Sequence, residues 1–260
     1  MRQQGADMSD TTTLIAVDTE AELTQLAERY RAAGGLGVQL LNLLGGTAEN
    51  LLDRLPQNVR DGLGNTVDQA LRLAMRTAHK SRKAVPKQRD RVNRVVTTAM
   101  GAAGGLGGLP SALVELPVTT TMLLRSIQDV AKEYGFNPAS ENIQFDCIRV
   151  FAAAGPLASD DGSDMGFVSV RLALTGGAMN KLLAIVAPRL AAVLGQKLAA
   201  QAVPVLGAVA GATANYVYTS YYQEIAHVHF GLRRLAIDTD IPEDELIQRL
   251  TQKMQQKINK

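Results

Sequence analysis

The sequence predicts an all-α protein, a multi-helix bundle whose apolar helices are broken by glycine and proline. Three observations carry that expectation. Apolar residues recur at three- and four-residue spacing along most of the chain, no stretch alternates apolar and polar residues as a half-buried strand would, and glycine or proline sits where most periodic runs end. Of the 260 residues 46% are apolar and 20% charged, which excludes a disordered chain and a collagen-like repeat.

Taken in order, Thr19-x-x-Glu22 reads as a capping box opening a first helix, with Leu23, Leu26, Ala27 and Tyr30 on its buried face and Gly34-Gly35 as its stop. Apolar stretches follow over Leu36 to Leu44 and about Thr47 to Leu55. A longer helix is expected over Val59 to Lys83, with Val67, Leu71, Leu73, Ala74 and Ala78 inward and Pro86 as its break. After Pro117, Thr119 to Tyr134 reads as a helix with Met122, Leu123, Ile127, Val130 and Ala131 inward and Gly135 as its C-cap. Further helices are expected over about Ser140 to Ala154, Phe167 to Thr175, Ala178 to Ala200, Val205 to Ala236 and Pro242 to Ile258. Residues 1–18 read as a disordered N-terminus, 19–240 as the helical domain and 241–260 as a C-terminal amphipathic helix. Met8-Ser9-Asp10 resembles a second start.

The charge is uneven. Net charge is +2, yet Arg72, Arg76, Lys80, Arg82, Lys83, Lys87, Arg89, Arg91 and Arg94 stand against Asp90 alone, so that segment carries +8 and the rest −6. Val95 to Val114 then has no charged residue. A polybasic segment directly before an uncharged one is the arrangement of a cytoplasmic membrane face, and Arg76, Lys80, Arg82, Lys83, Lys87, Arg91 and Arg94 are the candidate contacts to anionic lipid. An ordinary solvated helix face is the plain alternative. Nucleic acid is not expected as a partner, because no aromatics interleave the cations and the chain has no Trp. The single cysteine, Cys147, cannot form an internal disulfide, and the start shows no signal-peptide pattern, so the expected location is cytoplasmic, peripheral on or partly inserted in an inner membrane.

Two uncharged runs are rich in small residues. Residues 101–108 hold five glycines, and Leu198 to Gln223 contains Pro204, Gly207 and Gly211. Gly101-x-x-x-Gly105 and Gly207-x-x-x-Gly211 allow helix backbones to approach closely, either in a soluble bundle or in a membrane hairpin. Tyr216, Tyr218, Tyr221 and Tyr222 at the end of the second run fit an interfacial aromatic belt or a closed core equally well.

Few residues carry chemistry. Glu115 lies in an apolar run, and Arg125 and Asp129 share a helix face four residues apart; if the chain turns at Pro117, Glu115 reaches Arg125. These three form either a buried polar network or a ligand pocket. Glu224-x-x-His227 has the spacing of a metal-bridging pair, with Glu115 as a further ligand, but it stands alone where a dimetal bundle needs two such pairs. Cys147 reads as an inert core thiol, and Ser159 to Asp164 as a solvated acidic loop without the terminal Glu of an EF-hand. No Walker loop, dinucleotide fingerprint or zinc spacing is present. No cofactor is expected.

The run Gly107-Gly108-Leu109-Pro110, Glu115-Leu116-Pro117, Thr120, Arg125-Ser126-Ile127, Ala131 and Tyr134-Gly135, followed by Pro204-x-x-Gly207-x-x-x-Gly211 and Asn215, resembles the EcsC protein family over roughly residues 65 to 235. That family is named for a component encoded beside a bacterial ABC transporter. The resemblance implies a helical, membrane-associated protein and no particular reaction. The expected function is therefore non-enzymatic: binding anionic lipid or scaffolding a membrane partner, with a homo-oligomer allowed. The alternative is a soluble helical enzyme or metal-binding bundle using Glu115, Glu224 and His227.

Overall fold

The computed structural model describes residues 17–44, 52–84, 108–153, 155–156, 177–201 and 207–256. Among them lie seven helices and no strand, an all-α bundle: α1 (Thr19–Leu44), α2 (Gln57–Ala84), α3 (Gly108–Glu133), α4 (Glu141–Val150), α5 (Ala178–Gln201), α6 (Gly207–Thr239) and α7 (Glu243–Gln256). The expected helix over Phe167 to Thr175 lies outside the described residues, as do the glycine-rich run before Gly108 and the basic residues beyond Ala84.

The helix termini show how local chemistry sets the elements. At α1 the cap is Asp18, one residue upstream of the expected Thr19. Its carboxylate oxygen accepts the backbone N–H groups of Glu20 and Ala21, both at 3.0 Å. At the end of α3, Gly135 takes φ +81° and the Phe136 amide donates to the Ala131 carbonyl at 3.0 Å, a left-handed closure that glycine adopts without strain.

Two expected breaks are not breaks. α1 runs through Gly34-Gly35 to Leu44, and α3 runs through Pro117. A proline inside a helix removes one backbone hydrogen bond at a cost of about 3 kcal/mol. Here Leu116, Leu123, Leu124, Ile127 and Val130 are buried along α3, and burial of each such side chain returns about 1.5–3 kcal/mol, so packing outweighs the break. Conversely, α4 stops at Val150, four residues early, and the chain turns through Gly155 at φ +90°.

α6 lies at the centre, packed against α1, α3, α4, α5 and α7, while α2 lies along α3 and α5. α1 runs antiparallel to α6: Arg29 pairs with Glu224 at 2.8 Å, and Leu26 occupies the space over Gly231, where an added Cβ would come within 2.6 Å of it. α2 and α5 also run antiparallel, with Leu63 against Gly195 at one end and Arg72 bonded to Asn180 at the other. α7 buries Leu246, Leu250 and Met254 and is tied to α1 by Lys253, which pairs with Glu20 at 2.7 Å.

One continuous apolar core joins all seven helices. Tyr218, Tyr221 and Tyr222 belong to it, which corrects the aromatic-belt reading for three of the four tyrosines; Tyr216 alone is exposed. Leu73, expected inward, is exposed instead, because the buried face of α2 is occupied by Leu63, Val67, Ala70, Leu71 and Ala74.

Candidate functional site

The outer surface of α2 carries the first candidate. At 100° per residue, positions 72, 76, 80 and 83 fall within a sector of about 80°, so the helix itself aligns four of the basic positions along one side, while position 82 falls about 80° beyond position 72 on the other flank. Arg72 and Arg76 are exposed. Arg72 is held in place by Asp68 one turn earlier at 2.8 Å and by the Asn180 side chain of α5 at 3.0 Å. That second bond brings the start of α5, with exposed Lys181, beside the basic side of α2. The side chains of Lys80, Arg82 and Lys83, and the whole of Lys87, Arg91 and Arg94, lie outside the described residues.

The second candidate is a polar seam within the bundle. α6 places Asn215, Thr219, Gln223 and His227 at four-residue spacing, all buried on one stripe, and α3 buries Thr119, Thr120, Arg125, Ser126, Gln128 and Asp129. α5 adds Lys197, only 1% exposed, whose ammonium lies 3.4 Å from the Thr119 hydroxyl. Burying charges costs several kcal/mol each unless hydrogen bonds replace the lost water, so such a seam fixes one register among helices that are otherwise smooth and apolar. Arg125 and Asp129 are thus buried as expected. Glu115 is different: α3 continues through Pro117, which sets residues 115 and 125 about 15 Å apart along one helix, so the turn their pairing required is absent. The Glu115 side chain lies outside the described residues.

Glu224 and His227, the pair of the alternative metal reading, are otherwise engaged. Glu224 binds Arg29, and the His227 ring meets Tyr134 edge-on with centroids 5.8 Å apart. Among the described residues, no three His, Cys, Asp or Glu side chains gather closely enough to hold a metal ion.

A cluster the sequence reading missed joins α4 to α6. Asp146, buried on α4, pairs with Arg149 one turn away at 3.3 Å and with Arg233 of α6, while His229 Nε2 stands 3.6 Å from the same carboxylate. Arg233 also lies over the Phe136 ring, 5.4 Å from its centroid. Burial, helped by the Arg149 cation, pushes the His229 imidazole down to about 3, so it is neutral at ordinary pH. The only sequence signal was one Asp beside Cys147 and a His two residues beyond His227, on different helices. Lys197 carried none beyond its place at the edge of an uncharged run.

Among the described residues one helix, α5 over Ala178–Ala199, is long and apolar enough to cross a membrane, and 67% of its most apolar stretch is buried inside the bundle. Its outward edge carries Lys181 and Arg189, the latter bonded to the Ala152 carbonyl at 3.4 Å.

Neither a curated protein nor a solved structure matches the chain. A family model does: the EcsC protein family over residues 37–162 and 171–235, which takes in α2 to α5 and all but the last turn of α6. With most of its length so matched, the chain belongs to the EcsC protein family.

Proposed function

We propose that this protein is a non-enzymatic, peripheral membrane protein that docks on anionic phospholipid at the cytoplasmic face of a bacterial inner membrane. The observation that carries this reading is that the helical register of α2 puts positions 72, 76, 80 and 83, all basic, on one side, with exposed Arg72 and Arg76 among them, leading in sequence into a further run of cations with Asp90 as the sole acid. Each Lys or Arg brought to such a surface contributes about 1 kcal/mol, and the attraction falls as salt shortens the Debye length. Docking on the surface, rather than crossing, agrees with the burial of α5 and with Arg189 midway along it, since a cation at the bilayer centre costs about 3 kcal/mol or more.

Sedimentation with phosphatidylglycerol vesicles tests this. The protein is expected to pellet with them at low salt, to be released as salt rises, and to ignore phosphatidylcholine vesicles. Replacing Arg82, Lys83 and Lys87 together by Gln removes about 3 kcal/mol of attraction and weakens binding about 100-fold. Undiminished binding by the triple variant would refute the reading.

A further inference from the structure

The basic side of α2 is not purely basic. Leu73 is 47% exposed between Arg72 and Arg76, and by the helical repeat position 73 lies within about 20° of position 80. On α5, Ile185 is 39% exposed, one turn from exposed Lys181 and one turn before exposed Arg189. Arg72 and Asn180 bond these two helices to each other, and by the helical repeat Leu73 is turned about 100° from Arg72 and Ile185 about 140° from Asn180, so the two frames flank that junction on a packed pair. A lone exposed leucine is ordinary on a protein surface. Here two aliphatic side chains, on two adjoining helices, each stand in a frame of cations.

We infer that Leu73 and Ile185 are apolar anchors that enter the acyl region of an anionic bilayer when the surrounding cations meet its headgroups. This rests on the membrane reading above and adds to it the residues that penetrate and the chemistry they meet: hydrocarbon beneath a negatively charged surface. The charge pattern selects that occupant. A mixed aliphatic and cationic patch matches a surface that is anionic outside and apolar a few ångströms below, and long basic side chains reach outward from such a depth. Val17 and Val118 are exposed aliphatics too, and a further one, Ile237 on α6, is 58% exposed but stands beside Asp238, which pairs with Arg234, and Asp240, near the acidic first turn of α7, a net acidic setting that the same surface repels.

Because the chain has no Trp, a single introduced indole reports on one place. Leu73→Trp, Ile185→Trp and Ile237→Trp are each mixed with phosphatidylglycerol vesicles. The first two are expected to shift their emission to shorter wavelength and to be quenched by brominated acyl chains, and the third to do neither. Leu73→Gln and Ile185→Gln are expected to weaken vesicle binding about tenfold each without lowering the melting temperature. Should the unmodified protein fail to sediment with the vesicles, the membrane reading itself falls. Should it sediment while the indoles at 73 and 185 keep their emission, the anchors are refuted and surface docking stands. A shift in all three variants would mean adsorption without orientation, and a shift that grows with protein concentration in the absence of lipid would mean that a second copy covers the patch; either overturns the inference.

Discussion

His229 shows how far the interior departs from water. Its imidazole, ordinarily near 6.5, is held to about 3 by burial first and the Arg149 cation second. The unfolded chain takes up a proton between those values that the folded chain refuses, so this residue's share of stability is complete above about pH 6.5 and is lost as pH falls toward 3, at up to about 1.4 kcal/mol per pH unit. Urea melts at pH 7 and pH 4.5 are expected to show a smaller acid loss in His229→Leu than in the unmodified protein; equal losses would contradict the assignment. Gly155 is constrained in another way. It sits at φ +90°, and a Cβ there would stand 2.7 and 2.9 Å from the two methyl carbons of Val193, a side chain too stiff to move aside. The substitution Gly155→Ala is expected to cost about 1–3 kcal/mol in a thermal or urea melt, and a neutral result would mean that this turn does not hold α5. Neither constraint is written in the sequence, where Gly155-Pro156 is only a turn and His229 only a histidine near another.

Between elements, the ion pairs differ by their burial. Asp146 joins α4 to α6 through Arg233 and holds Arg149 on its own helix, inside the structure, whereas Glu20 joins α1 to α7 through Lys253 from a carboxylate open to water. Removing a buried partner leaves a cation without compensation, so Asp146→Asn is expected to destabilise by about 3 kcal/mol, while Glu20→Gln costs less than about 1 kcal/mol. Comparable melts for the two variants would defeat that distinction. The same contrast explains which boundaries could be read from the sequence. The ends of α5, α6 and α7 fall within a few residues of expectation, and Gly135 caps α3 as its composition suggested. Pro117 misled because its local cost of about 3 kcal/mol is less than the burial available along α3, and Gly34-Gly35 because a glycine inside a helix costs only about 1 kcal/mol.

Among the described residues, Arg72 and Arg76 on α2 and Lys181 on α5 are exposed on one side, while Asp238, Asp240, Glu243, Asp244 and Glu245 stand where α6 meets α7, outnumbering Arg233, Arg234 and Arg249 there. Such separation of charge orients a protein before it touches a charged surface, over roughly a Debye length of 8–10 Å. The sequence by itself determined the all-helical class, the basic run and the shared helix face of Arg125 and Asp129, because each follows from periodicity or from neighbours along the chain, and its motifs carried the resemblance to the family. Only the tertiary structure decided that three clustered tyrosines close a core, that Leu73 faces outward, that Glu115 and Arg125 are separated along one helix, and that Asp146, His229 and Arg233 meet. Those outcomes depend on which helix faces which, and the rotation of a helix about its axis is set by the sum of many contacts from residues far away in sequence.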